Sequence, residues 1–234
     1  MTSKPRIFQN IPRPDPATAS ALREQGTATV HEAQARTGLA RPYLRPIYPN
    51  AKIAGPAVTV LCQPGDNLMI HAAIEVCAPG DVLVVATTSD STDGMFGDLL
   101  GVLCQARGVI ALIIDAGVRD TVELAAMQFP VWAKAICAQG TVKASAGSVN
   151  VPVVCAGVVV NPGDVVVADS DGVVVVPLKC AAQVALLGQD RIEKEQTARE
   201  RFRKGELSLD VFGLRAKLKE LGVEYCGDVT DPPS

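Results

Sequence analysis

Unbroken, β-branched apolar runs are the feature that most restricts what this chain can fold into. Residues 57–62 (AVTVLC), 81–87 (DVLVVAT) and 109–116 (VIALIIDA) are apolar at nearly every position, not at every second one. A strand that is apolar on both faces has to be covered on both, as in a parallel sheet lying between other layers. Between these runs lie amphipathic stretches with helical spacing, at 66–77 (DNLMIHAAIEVC), 97–108 (GDLLGVLCQARG) and 121–127 (TVELAAM). The alternation predicts βαβ units. Beyond residue 130 the intervening helices cease, while apolar runs continue at 131–136, 149–157, 164–170 and 172–177. The later strands are therefore expected as hairpins or a meander, with Asp171-Gly172 at the tip of one tight turn.

Punctuation between the runs is regular. Pro-Gly-Asp occurs at 64–66, 79–81 and 162–164. Pro followed by Gly matches the two central positions of a type II turn, so these read as turns leading into a strand or helix and not as a functional repeat. The front, about residues 15–37, reads helical with a break at Gly26. The tail, from about Leu178 to Leu221, is helical and charged around DRIEKEQTARERFRKG, the ordinary reading of which is a solvated helix with i,i+4 ion pairs. No linker separates two cores. The expectation is a single α/β domain over 1–234: an N-terminal helical segment to about 40, a core at about 50–177 and a charged C-terminal extension at about 178–225.

Composition excludes several classes. The net charge of −3 is dispersed without a cationic tract, which argues against a nucleic-acid or anionic-membrane surface. No apolar run approaches the roughly 18 residues of a membrane span. The start, MTSKPRIFQN, has no apolar segment of the secretory kind, so the cytosol is the expected compartment. Seven cysteines without a CxxC spacing, and only His31 and His71, assemble neither a disulfide framework nor a His-rich zinc site.

Chemistry-bearing residues concentrate where two runs end. In IDAGVRDTVE (114–123) a buried strand gives way to Arg119 and Asp120 just before a helix. Ligands of open α/β sheets gather beyond the carboxyl ends of the strands. A second reading is structural: Asp120-x-x-Glu123 has the spacing of a capping box for the helix at 121–127. The preceding turn, STDGMFGDLLG (91–101), reads as a flexible loop, with Gly94, Gly97 and Gly101 leaving free amides at a helix N-terminus, an arrangement that binds anions. It is neither a P-loop nor a GxGxxG fingerprint. It is not an EF-hand loop either, since Gly101 stands where the glutamate belongs. Two strand ends carrying amides, an arginine, Asp98 and Asp120 could together hold an oxyacid and a hard divalent ion.

GDLLG, then GVRD some twenty residues on, then VNPGDVVVADSDGVVVVP resemble the bacterial class II pyruvate aldolases. Those enzymes cleave 4-hydroxy-4-methyl-2-oxoglutarate and 4-carboxy-4-hydroxy-2-oxoadipate to pyruvate plus pyruvate or oxaloacetate, in aromatic-acid catabolism. The resemblance covers roughly residues 6–205, and the wider family includes non-catalytic regulators of ribonuclease E activity. It implies an α/β/β/α sandwich related to the swivelling phosphohistidine domain, with helical N- and C-terminal additions, assembled as homotrimers or homohexamers. It also implies a Mg²⁺ or Mn²⁺ cofactor, small 2-oxo-4-hydroxy di- or tricarboxylic substrates and oxaloacetate decarboxylation as a second reaction.

By the same resemblance, Asp120 matches the direct metal ligand and Arg119 the residue that meets the keto and carboxylate oxygens. Gly97, Asp98, Leu99 and Leu100 match the segment whose amides hold the carboxylate, and Asp98 also matches the residue orienting a catalytic water. Glu195, or Glu193 close by, matches the glutamate that reaches the metal of a neighbouring subunit through water. No Schiff-base lysine is required, although Lys134 and Lys143 stay open for that role. The rivals are the protein-binding regulator and a metal-dependent hydrolase or lyase acting on another oxyacid. A methyltransferase has no support, because no adenosylmethionine-type glycine-rich loop is present.

Overall fold

A computed structural model describes residues 4–227. Two compact units make up the chain, Met1–Gln189 and Asp190–Ser234. The first opens with helix α1 (Pro16–Ala33) and the short strand β1 (Arg45–Pro46). Strand β2 (Ile53–Cys62), helix α2 (Leu68–Val76), β3 (Val82–Thr87), β4 (Gly94–Phe96), α3 (Asp98–Ala106), β5 (Ala111–Val118), α4 (Thr121–Ala126) and β6 (Val131–Ile136) follow. Then come β7 (Ser148–Val149), a hairpin of β8 (Val153–Cys155) with β9 (Val158–Val160), and a second hairpin of β10 (Val165–Asp169) with β11 (Gly172–Val176). Helix α5 (Ala181–Arg203) spans the boundary, and the second unit continues with α6 (Ser208–Val211) and α7 (Leu214–Glu220). No described helix is long and apolar enough to cross a membrane.

Strands β2, β3, β5 and β6 pair in parallel, as the βαβ reading requires. Side chains alternate strictly between two cores. Leu83, Val85, Leu112 and Ile114 join α2, α3 and α4 on one face. Val82, Val84, Ala111, Ile113 and Trp132 meet Val166, Ala168, Val173 and Val175 of the β10–β11 hairpin on the other. That hairpin turns Val165, Val167, Val174 and Val176 outward onto Leu22 and Val30 of α1 and Ala181 and Val184 of α5. The layers therefore run α/β/β/α with helices added at both ends of the chain, the sandwich the resemblance implied. Continuous apolar runs arise because each strand lies between two cores.

Helix α1 starts where Asp15 accepts the Ala17 N–H at 3.1 Å, with Pro16 in the first turn. It breaks at Gly26 (φ 78, ψ 167), and the second half is capped from another element: Asp169 accepts the Thr27 N–H at 2.8 Å and its hydroxyl at 2.5 Å. The glycines of the three Pro-Gly-Asp turns take φ of 68, 92 and 88, the left-handed value a type II turn demands. Their aspartates are buried, and each accepts at least one backbone N–H. Asp81 accepts Ala78 N–H at 2.7 Å and both arms of Arg13 at 2.8 Å. Asp164 accepts from Asn161 and from Leu178 N–H.

Three local expectations are corrected. The hairpin tip is Ser170–Asp171, one residue earlier than Asp171-Gly172, because Asp169 pairs with Gly172 and accepts the Asp171 N–H at 2.9 Å. Residues 149–157 do not form one strand; Asn150 (φ 57) and Pro152 separate β7 from β8. The loop before α3 is not flexible throughout, since Gly94–Phe96 is a buried strand paired with β5.

Removing the Asp81 carboxylate tests the turn design. Asp81→Ala leaves the Ala78 N–H unpaired, while Arg13, whose side chain is 35% exposed, rehydrates in part. The expected loss is about 2 kcal/mol, read as a lower urea midpoint at unchanged m-value.

Candidate active site

The end of β5 is clamped on both sides. Arg119 N–H donates to Phe96 O of β4, and Cys137 N–H to Val118 O, both at 2.9 Å. Asp120 follows in the left-handed region (φ 53, ψ 41), uncommon for a residue other than glycine. It occupies the N-cap position of α4, yet its side chain makes no capping bond there. Its Oδ2 instead accepts the Asp98 N–H at 3.2 Å, at the start of α3, and lies 3.4 Å from Arg119 Nε. The capping-box reading is thereby overturned. The carboxylate points across to the neighbouring βα turn, not down its own helix.

That crossing depends on Gly97, the N-cap of α3. A Cβ built there would stand 2.2 Å from Asp120 Oδ2 and 3.2 Å from Arg119 Cγ and Nε. The backbone of Gly97 is extended (φ −148), so space and not conformation is what requires glycine. Behind it, the N–H groups of Leu99 and Leu100 have no acceptor among the described residues. They form the positive end of a helix dipole, beside the Arg119 guanidinium.

These groups line one cavity of about 170 Å³, bounded by Gly97, Asp98, Leu99, Leu100, Arg119 and Asp120 and, from elsewhere, by Asn67, His71 and Lys143. Arg119 and Asp120 side chains are 47% and 34% exposed, open to a ligand. His71 has its pKa pushed below the ordinary imidazole value by burial and then by the positive charge of Lys143, so it is neutral near pH 7. Asn67 and His71 were not singled out from the sequence. Their signal was the helix start at DNLMIH directly after a Pro-Gly-Asp turn.

The remaining residues named from the sequence divide. Lys143 lines the cavity. Lys134 is engaged elsewhere, paired with Asp90 and 5.6 Å above the Tyr43 ring. Burial, with a hydrogen bond to Asp115, pushes the Tyr43 hydroxyl up to about 12. In the second unit, Glu195 is held by Arg191 at 2.9 Å and Arg199 at 2.8 Å, both one turn away on α5, and the Glu193 carbonyl accepts the Thr197 hydroxyl. Cys62 and Cys77 are buried, with thiols pushed up to about 12 chiefly by burial, and behave as small hydrophobes.

Comparison with known proteins bears on the same stretch of chain. The RraA-like family model, Aldolase/RraA, matches residues 27–175. The chain belongs to the Aldolase/RraA family. A relative from Halalkalibacterium halodurans, named "Putative 4-hydroxy-4-methyl-2-oxoglutarate aldolase", is 32% identical over 178 residues, 76% of this chain and 82% of that protein. The crystal structure of Streptomyces coelicolor RraAS2, described as an unusual member of the RNase ES inhibitor RraA protein family, superposes with a TM-score of 0.72 at 29% identity, covering 81% of this chain and 99% of that one. The RNA-processing inhibitor RraA from Thermus has a TM-score of 0.58 at 27% identity, over 64% and 92% of the two chains. The family thus includes proteins named for an aldolase and proteins named for RNase inhibition on one fold, so the site must decide between them.

Gly97→Ala isolates the cavity from the fold. The obstructing atom is the tip of the Asp120 side chain, so the variant should fold with a thermal midpoint within about 4 °C of the native protein. A crystal structure of the variant should show the Asp120 carboxylate displaced from the Asp98 N–H.

Proposed function

We propose that this chain is a divalent-metal-dependent lyase, a class II pyruvate aldolase. In this reading it cleaves 4-hydroxy-4-methyl-2-oxoglutarate and 4-carboxy-4-hydroxy-2-oxoadipate in the cytoplasmic breakdown of aromatic acids, and it decarboxylates oxaloacetate as a second reaction. One observation carries the proposal: a carboxylate in the N-cap position of α4 that makes no capping bond to that helix, reaches across to the Asp98 N–H and stands beside an arginine and two free helix amides.

The donor chemistry fits a hard cation. Asp120 Oδ1 accepts no hydrogen bond among the described residues and is available as an oxygen ligand. No three His, Cys, Asp or Glu side chains converge among the described residues. Mg²⁺, which dehydrates reluctantly and keeps several waters, suits one carboxylate better than zinc does. When bound, such an ion supplies Lewis acidity at the 2-oxo group.

The protein's own groups do the rest. The N–H groups of Leu99 and Leu100 hold the C1 carboxylate of the substrate. Arg119 places its guanidinium where charge grows on the 2-oxo oxygen as the C3–C4 bond breaks and its electron pair passes into the pyruvate enolate. Asp98 orients the water that accepts the 4-hydroxyl proton, C4 becomes a carbonyl, and a proton returned to C3 yields pyruvate. Oxaloacetate decarboxylation passes through the same enolate, with CO₂ as the departing group. Leu99 and Val122, 79% and 76% exposed, with Val102 and Leu103, supply an apolar surface on α3 and α4 for another copy of the chain. This supports a homotrimer or homohexamer, in which Glu195, or Glu193 near it, would reach the metal of a neighbouring subunit through water.

The alternative, a non-catalytic partner of ribonuclease E, draws on the name of the Streptomyces relative. It offers no use for the Arg119–Asp120 pair.

Pyruvate release from both aldol substrates and from oxaloacetate should disappear with chelator and return with Mg²⁺. Asp120→Ala should abolish all three activities in a folded protein; near-native turnover in saturating Mg²⁺ would remove Asp120 from the site. Arg119→Lys keeps the charge but loses the planar fork. It should slow cleavage and decarboxylation together by at least about tenfold, near 1.4 kcal/mol. If Glu195 acts in trans, mixed Asp120→Ala and Glu195→Ala subunits should regain activity once mass spectrometry confirms their exchange.

A further inference from the structure

A second depression lies at the opposite pole, where the parallel strands begin. It is a groove of about 300 Å³ between the entry to α1, residues 54–56 of β2, the Pro79–Gly80 turn before β3 and Ile110 before β5. That volume stands at the lower bound of the roughly 300 to 1,000 Å³ of small-molecule sites. Pro14, Pro56 and Pro79 join Ile110 in its walls. Proline rings have no rotamer freedom to lose when a ligand settles against them. Helix α1 lends Pro16, Ala19, Ser20 and Arg23, whose i, i+3, i+4 and i+7 spacing puts them on one face.

Strand β2 adds a free backbone edge. Ala57 N–H donates to Asp164 O at 2.8 Å and Ala57 O accepts the Gly163 N–H at 2.9 Å, so odd-numbered residues of β2 turn their backbone groups toward β10. Even-numbered residues face the other way, as Cys62 does when its carbonyl accepts the Thr88 N–H just past β3. Pairing with β3 begins only at Ala57. The N–H and C=O of Ala54 therefore face the groove with no strand opposite them.

Two arginines set the charge. Arg13 gives Nε and Nη2 to Asp81, both at 2.8 Å, while its Nη1 has only a 3.4 Å contact with Ile11 O. Arg23 is 55% exposed, and Glu24 stands off from it at 3.6 Å. The Ser20 hydroxyl makes no hydrogen bond among the described residues, and no carboxylate lines the groove. An apolar slot with cationic nitrogens and a spare N–H suits a flat apolar body that carries one acid group. An extended peptide would find only the single N–H and C=O pair of Ala54 to bond with.

We propose that this groove binds a compact aromatic acid, its ring against the proline walls and its carboxylate held by Arg23 and the Nη1 of Arg13. The site does not depend on the chemistry proposed at Arg119 and Asp120.

Calorimetric titration with 2-naphthoate, and with uncharged 2-naphthamide of the same shape, tests it on the full chain. Native protein should bind 2-naphthoate with a Kd at or below about 1 mM and the amide at least about tenfold more weakly. Arg23→Met should weaken the acid by at least about fivefold while moving the amide by less than about twofold. Ala19→Phe, a change on the same helix face, fills the slot and should abolish binding of both, with helical circular dichroism retained. Arg119→Lys should leave the naphthoate Kd unchanged. Absence of saturable binding by native protein, or equal affinity for acid and amide, overturns the proposal. So does undiminished binding by folded Ala19→Phe, or loss of binding in Arg119→Lys, since either places the ligand elsewhere.

Discussion

Strand β2 is buried along nearly its whole length, and buried backbone must find hydrogen-bond partners at both edges. The strand meets that requirement by changing partners part-way. Residues 57–62 pair in parallel with β3, while residues 53–56 pair antiparallel with β10. One strand therefore belongs to both sheets of the sandwich. Its direction sets that of β3, β5 and β6, and its first half brings the β10–β11 hairpin back over the parallel sheet. The core between the sheets is dominated by Val and Ala, whose small side chains let two sheets interdigitate closely. Trp132 is the large exception, and its indole N–H is satisfied by Asp169 O at 2.8 Å.

With the parallel strands aligned, their carboxyl ends fall at one pole. There β4 and β6 grip the last residues of β5, and the chain turns through Asp120 in a left-handed conformation. A non-glycine residue in that region costs of order 1–3 kcal/mol and persists only where its surroundings hold it. Here the surroundings are the clamped end of β5 and the contact with Asp98 across Gly97. The helix that follows forgoes a capping bond. Local stability is lost so that a carboxylate and a guanidinium stand beside the free amides of the next helix, which is what a site for a charged oxyacid needs.

The buried aspartates of the Pro-Gly-Asp turns show how irregular segments are made stiff. Asp81 anchors the N-terminal segment through Arg13, and Asp164 joins the turn before β10 to Leu178, two residues past β11. Asp66 joins the start of α2 to a segment more than seventy residues away. In each case several N–H donors converge on an ionised carboxylate, a stronger bond than one between neutral groups. The contribution of Asp66, whose folded pKa is lowered, is present above about pH 4 and is lost as pH falls through that lowered value.

What the sequence by itself determined follows from short-range physics. Apolar periodicity marked the strands and helices, the Pro-Gly pairs marked type II turns, and Gly26 marked the break in α1. The start of α3 after Gly97 and the place of Arg119 and Asp120 beyond β5 were legible for the same reason, since each depends on a few neighbouring residues. Tertiary structure alone decided where the Asp120 carboxylate points, because its partner, Asp98, is 22 positions away. It alone decided that Gly94–Phe96 is a strand, since that pairing requires β5. It also brought Lys143 to Asn67 and His71, through hydrogen bonds from Ala144 and Ser145 to Asp66 that span 78 and 79 positions. Spacing along a chain carries no record of contacts made at that range; they exist only once the two sheets have closed over their shared strand.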